Sequence, residues 1–255
     1  MTLPMTTNDT FQVAYRTLER EMKACAEDDA AGVFLPSVAP AGPVDYVLIC
    51  MEPSLGSTSA GQVRERVQAW FRNFLSSMGD FILHFSARTY LCKEGQRYHI
   101  TDFSKGAMAV KSARAARAQR YDLWYPLLLK EIKLIAKPNA GFFAVGKVVD
   151  RHLRRLGFPR PFDEVIHYSG QAARTRKEFV AKRKANFEAF KGTVSLRDIR
   201  DAAEDVLRSA DVPARFHSEA LARLKAPQLT DSSKQLIFNY KVAFESFRSQ
   251  RDPCP

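Results

Sequence analysis

Residues 44–56, Val-Asp-Tyr-Val-Leu-Ile-Cys-Met-Glu-Pro-Ser-Leu-Gly, constrain the fold of this chain more than any other stretch. Val44 to Cys50 is an apolar, β-branched run that reads as a buried strand. Pro53 ends it, because proline has no N–H to give to a ladder. Pro53 also biases Glu52 toward extended backbone, which holds the acid at the carboxyl edge of the strand. Open α/β sheets place their ligands at that edge. A strand followed by a turn with an incidental surface glutamate has the same pattern, and this segment alone does not separate the two.

The rest of the chain sets the fold class. One helix is expected over Phe11 to Ala26, followed by a Pro/Gly-rich approach to the first strand. After Pro53 come a small-residue loop (54–61) and a helix running through Trp70 and Phe74. Phe81 to Phe85 and Tyr98 to Phe103 read as short strands. Trp124 to Ala136 reads as a buried helix, with Pro126 tolerated near its first turn. Ala140 to Val145 is a strand, Gly146-Lys147 opens a helix carrying His152 and Leu156, and Val165-Ile166-His167 is the last strand. This alternation predicts an α/β fold, a three-layer α/β/α arrangement with a mostly parallel central sheet. From about residue 192 only helices are expected, with breaks near Pro213 and Pro227. The predicted organisation is a helical lead-in (1–43), an α/β domain (44–191) and a small C-terminal helical appendage (192–255).

Charge narrows the partners. The 255 residues carry 39 Lys and Arg against 28 Asp and Glu, a formal charge of +11. That balance favours a polyanion, with nucleic acid first and an anionic membrane surface second. No apolar run approaches a membrane span, and the polar N-terminus lacks a signal-peptide core, so a soluble cytoplasmic protein is expected. Cys25, Cys50, Cys92 and Cys254 fit neither zinc nor iron–sulfur spacing. They are expected to be reduced thiols, with no metal or other cofactor.

Three of the expected strands end in polar groups: Glu52, Asp102 and His167. In a parallel sheet those ends share one edge, so the three are expected to converge on one pocket. Singly, each is better explained as an ordinary strand-end residue. Their order, however, resembles the uracil-DNA glycosylase superfamily. Cys-Met-Glu-Pro-Ser at 50–54 is similar to that family's first motif, in which a strand delivers an acid or amide just before a proline. Tyr98-His99-Ile100-Thr101-Asp102-Phe103-Ser104-Lys105 is similar to the second, whose strand-end asparagine reads the base. Phe142-Phe143-Ala144-Val145-Gly146-Lys147 resembles the family's apolar strand and Gly-Lys helix start. Ile166-His167-Tyr168-Ser169 resembles its final His-Pro-Ser motif. The likeness spans about 45 to 190.

The resemblance implies a monofunctional glycosylase acting on a base flipped out of DNA. Glu52 would orient or deprotonate a water and stabilise positive charge on the sugar, and His167 would donate to the base O2 as negative charge builds there. Asp102 would hold the Watson–Crick edge. An ionised carboxylate only accepts hydrogen bonds, so Asp102 in place of asparagine tilts the pocket toward the N4 amino group of cytosine, unless burial keeps it protonated. Ser54 stands where the uracil-selective branch has a tyrosine that blocks C5 substituents. The expectation is therefore excision of a C5-modified cytosine, hydroxymethylated or glucosylated, in phage DNA. The alternatives are a uracil-DNA glycosylase in repair and an inactive DNA-binding defence subunit. Tyr168 replaces the family's proline, and the iron–sulfur branch's cysteines are absent.

Basic residues supply expected DNA contacts. Lys111, Arg114, Arg117 and Arg120 recur every third residue, a drifting basic stripe fit for successive phosphates if helical. Gln171 and Arg174 are the expected wedge that fills the gap left by the flipped base, and Arg176 belongs to the same cluster. Phe85 and Phe103 are the expected stacking partners of the base. His84 and His99 are expected to be structural.

Overall fold

The computed structural model describes residues 7–29, 33–224 and 228–251. In chain order its helices and strands are α1 (Thr7–Asp28), β1 (Val44–Cys50), α2 (Ala60–Ala69), α3 (Met78–Ser86), β2 (Tyr98–Asp102), α4 (Val110–Ile135), β3 (Ala136–Val145), α5 (Lys147–Arg155) and β4 (Asp163–Val165), then α6 (Ala173–Ala181), α7 (Lys184–Phe190), α8 (Leu196–Ser209), α9 (His217–Ala220) and α10 (Asp231–Arg251). The fold is α/β, with a four-stranded parallel sheet and a helical C-terminal segment. The described residues fall into two compact units. One holds residues 7–29, 33–73 and 97–164; the other holds 74–96, 165–224 and 228–251. The boundaries expected at 43/44 and 191/192 do not coincide with this division.

The first unit is built on the sheet, whose strand order is β2-β1-β3-β4. β1 pairs in parallel with β2 on one side and β3 on the other, with Cys50 opposite Asp102 and Ile49 opposite both Thr101 and Ala144. Strand order reverses at β1, so the loops after β1 and β3 leave in opposite directions and open a crevice at their carboxyl ends. The two-residue period sends Val47, Ile49, Phe142 and Ala144 to one face. There they meet Phe11 and Tyr15 of α1, Tyr121, Leu128 and Ile132 of α4, and Val149 and Leu153 of α5. Leu48 and Phe143, on the other face, are equally buried, so β1 and β3 form a middle layer.

The second unit is helical. α3 packs on α8 and α10, and α10 packs on α6. Phe238 of α10 meets the rings of Phe179, Phe187 and Phe190. Ser77 and Ser195 each accept from the N3 backbone N–H of a helix while Asp80 and Asp198 reach back, closing two capping boxes.

Four local expectations need correction. Phe81 to Phe85 is not a strand but the body of α3, because the Ser77–Asp80 box nucleates a helix and a short apolar run carries no period of its own. The helix after the loop stops at Ala69, before Trp70, and Phe74 takes a left-handed φ of 67°. α4 begins at Val110 rather than Trp124, which places Pro126 in its interior. β4 ends at Val165, so Ile166 and His167 lie beyond it. Pro227 lies outside the described residues.

Candidate functional site

Glu52 sits just past β1, at the crevice where strand order reverses. Its side chain is only 5% exposed. Arg117 of α4 grips it as a fork: Nε donates to Oε1 at 3.0 Å and to Oε2 at 3.2 Å, and Nη2 donates to Oε1 at 2.5 Å. The Tyr121 hydroxyl, one turn further along α4, donates to Oε2. Burial pushes the Glu52 carboxyl up, but the hydrogen bonds from Arg117 and Tyr121 and the guanidinium charge outweigh it and hold its pKa below the usual value. The carboxylate is therefore ionised, with both oxygens occupied. Tyr121 is itself fixed by packing, its ring stacked on Phe103 at 4.0 Å and edge-on to His152 at 4.8 Å.

Asp102 closes β2 opposite Cys50, on the sheet face away from Thr101. It is 3% exposed and accepts from Asn73 Nδ2 at 2.6 Å. Burial drives its pKa well above the usual value, and the Lys105 charge and the Asn73 hydrogen bond do not reverse this. Burial thus shifts Asp102 toward the neutral acid, and a neutral carboxyl both donates and accepts. That shift works against the acceptor-only Asp102 that reading the N4 amino group of cytosine requires. Ser54 is exposed, and its Oγ accepts from the Gly56 N–H at 3.1 Å.

The basic stripe does not stay on one surface. A step of three residues falls about 60° short of a full helical turn, so Lys111 and Arg120 end up on roughly opposite sides of α4. Lys111 and Arg114 are exposed, Arg117 is turned onto Glu52, and Arg120 is buried at 4% exposure. Arg120 forms a buried pair with Asp29, which also accepts from Trp124 Nε1 at 3.0 Å, and donates to Ser104 Oγ and the Gly106 carbonyl. Arg120 is thus a structural cation and not a phosphate contact. Arg176 is corrected likewise: it is buried and donates to the Ser169 carbonyl at 2.9 Å and to Ser232 Oγ. Arg174 is 91% exposed and pairs with Glu178 one turn on. The Gln171 side chain lies outside what the structure describes.

His167 belongs to the second unit, whereas Glu52 and Asp102 belong to the first. Its Nδ1 accepts from the Ser169 backbone N–H at 3.0 Å, so the neutral ring carries its proton on Nε2, a donor. Tyr168 stacks on the imidazole and packs against Gly79 of α3 so closely that a Cβ there would lie 2.7 Å from its ring. Tyr240 of α10 donates to the Ile166 carbonyl at 2.9 Å. With Arg176 of α6 on the Ser169 carbonyl, residues 166–169 are held by α6 and α10, a task that sequence reasoning did not assign to either.

Neither expected stacking ring is open. Phe103 is 1% exposed with a face covered by Tyr121, and Phe85 is a largely buried residue of α3 with Tyr90 against its edge. Both act as packing residues. Sequence reading also missed Glu131, fully buried on α4. It accepts from Thr101 at 2.8 Å, Lys105 at 3.1 Å and Tyr15 at 3.3 Å, and pairs with His99 Nε2 at 3.3 Å. Burial raises the Glu131 pKa, but the Lys105 charge and the bonds from His99 and Thr101 bring it down to about 2. Alternation in β2 was the available signal, since His99 and Thr101 share a face and require a buried polar partner. His99 is structural, as expected.

Cys25, Cys50 and Cys92 are thiols, and Cys254 lies outside the described residues. Among the described residues no helix is long and apolar enough to cross a membrane, and no group of three or more His, Cys, Asp or Glu is placed to hold a metal ion. No protein-family model, no curated protein and no solved structure matches this chain.

Proposed function

We propose that this protein is a monofunctional DNA glycosylase that hydrolyses the N-glycosidic bond of a flipped base and leaves an abasic site. The observation that carries the reading is Glu52: an ionised carboxylate held at the carboxyl end of β1, where strand order reverses. In the proposed reaction it orients a water toward the sugar C1′ and offsets positive charge there as the bond breaks. For His167 the resemblance implies a hydrogen bond to the base O2, and a ring pinned as an Nε2–H donor supports that role. Exposed Lys111 and Arg114 supply phosphate contacts along α4.

The proposed substrate is a C5-modified cytosine, a reading supported by the small, exposed Ser54. A second reading, excision of a uracil-type base, is favoured by the neutral form of Asp102, because a protonated carboxyl donates to O4 as asparagine does. The test is alkaline cleavage of matched duplexes containing uracil, cytosine, hydroxymethylcytosine or glucosylated hydroxymethylcytosine, with Glu52→Gln as control. Abasic product from modified cytosine alone supports the first reading, and product from uracil alone the second. DNA binding without product on any duplex leaves a binding subunit.

A further inference from the structure

A general base must have an oxygen open to water, and Glu52 has none while Arg117 and Tyr121 hold it. Arg117 spends Nε and Nη2 on the carboxylate. No described residue accepts from its Nη1, and the side chain stays 17% exposed while Glu52 is nearly sealed. Arg114 precedes Arg117 by about one helical turn and is exposed, as is Lys111 before it, so a phosphate drawn to Arg114 lies next to the guanidinium along α4. Phosphate offers arginine the same forked geometry as a carboxylate, with more charge and more acceptors.

Resting on the glycosylase reading, we propose that Arg117 is a positioning residue that covers Glu52 in the unliganded protein and exchanges it for a backbone phosphate when DNA binds along α4, uncovering the carboxylate for water. The exchange confines an active base to the DNA-bound state. Tyr121 keeps its single bond to Oε2 throughout, so the carboxylate remains oriented while Oε1 opens. The groups facing Glu52 are Arg117 and Tyr121 on α4 and Asp102 at the end of β2, with His152 on α5 reached through Arg117.

The test uses the full chain with carboxyl-labelled glutamate, Glu52 being assigned from Glu52→Gln, and a duplex carrying a tetrahydrofuran abasic-site analogue that cannot be cleaved. In the free protein the Glu52 carbon is expected to titrate below the ordinary glutamate value, and in the complex its midpoint rises toward that value. Arg117→Gln is expected to reduce the slope of log affinity against log salt by about one, and Glu52→Gln, which weakens the hold on Arg117, to bind several-fold more tightly. A merely structural Arg117 leaves the salt slope unchanged. DNA bound with the Glu52 midpoint unmoved overturns the exchange and leaves the glycosylase reading standing. No DNA bound at any salt overturns both. Should Arg117→Gln fail to fold, Arg117→Lys is read instead. It keeps the charge but loses the fork, and a Glu52 midpoint in that free variant no higher than in the free wild type also overturns the exchange.

Discussion

Two carboxylates on the first unit solve the same electrostatic problem with opposite outcomes. Glu131 and Glu52 are both buried, both ionised, and both paired to a cation and a hydroxyl. Glu131 is fully enclosed between α4 and β2, and its partner Lys105 is 2% exposed. Glu52 lies at the carboxyl edge of the sheet, and its partner Arg117 keeps 17% exposure. The pair under the sheet face is sealed from solvent, and its charge satisfies the neighbouring polar groups His99, Thr101 and Tyr15. The pair at the edge has a cation with an outward side, and the proposed exchange makes use of it. On the proposed reading, position relative to the sheet edge, and not residue type, separates a structural carboxylate from a chemical one.

The largest expected effect breaks the sealed pair. Glu131→Ala leaves the Lys105 ammonium buried and unpaired, so urea denaturation is expected to show a loss of about 3–5 kcal/mol. The same pair has a pH signature. The folded pKa of Glu131, about 2, lies below its ordinary 4.5, so its contribution is present above the ordinary value and is lost as pH falls toward 2. If Glu131→Ala unfolds at the wild-type urea concentration, the cluster is not a stabilising unit.

At the edge the expected loss is in activity. Glu52→Gln keeps hydrogen-bonding atoms in place and is expected to lower turnover by at least about 100-fold while folding normally, measured by single-turnover abasic-site formation. Unchanged turnover would remove Glu52 from the chemistry and make the two carboxylates equivalent.

Asp102 sharpens the comparison as a buried carboxyl without sufficient cation. Its folded pKa is raised, so the folded state holds the proton more tightly, and wild-type stability declines as pH rises above the ordinary carboxylate range. Asp102→Asn removes that penalty. The variant is expected to gain on wild type in thermal unfolding at neutral pH and to show no gain near pH 3. An equal difference at both pH values would mean that Asp102 is ionised. The smallest effect is expected from Tyr121→Phe, about 1 kcal/mol in stability for one lost hydrogen bond. It should also move the acid limb of the rate profile upward, because Glu52 loses a bond that favours its ionised form. An unmoved limb would show that the Tyr121 bond does not set the ionisation of Glu52 in the active complex.

Much of the frame was legible along the chain, for local reasons. Val44 to Cys50 read as a buried strand ended ahead of Pro53, and Gly146-Lys147 read as the start of the helix after β3, where Gly146 takes a φ of 97°. Parallel pairing followed from strands alternating with helices. Phe81 to Phe85 was misread because five apolar residues fit a buried strand or a buried helix equally, and the decision came from a cap four residues upstream of the run. The basic stripe was visible as a spacing, but a spacing of three cannot say which members face water until the helix is docked. Docking put Lys111 and Arg114 outside, Arg117 on Glu52 and Arg120 against Asp29.

By itself, then, the sequence determined the elements whose causes are local: a strand stopped by proline with an acid at its end, a helix opened by Gly146 and an excess of positive charge. Only the tertiary structure decided the state of each charge. Whether Glu52 is ionised, Asp102 neutral or Arg120 unreachable depends on partners distant along the chain, such as Arg117 at 65 residues and Asp29 at 91. It depends equally on how much water the packing leaves beside them. Burial and pairing are properties of three-dimensional neighbours, and no periodicity along a chain records them.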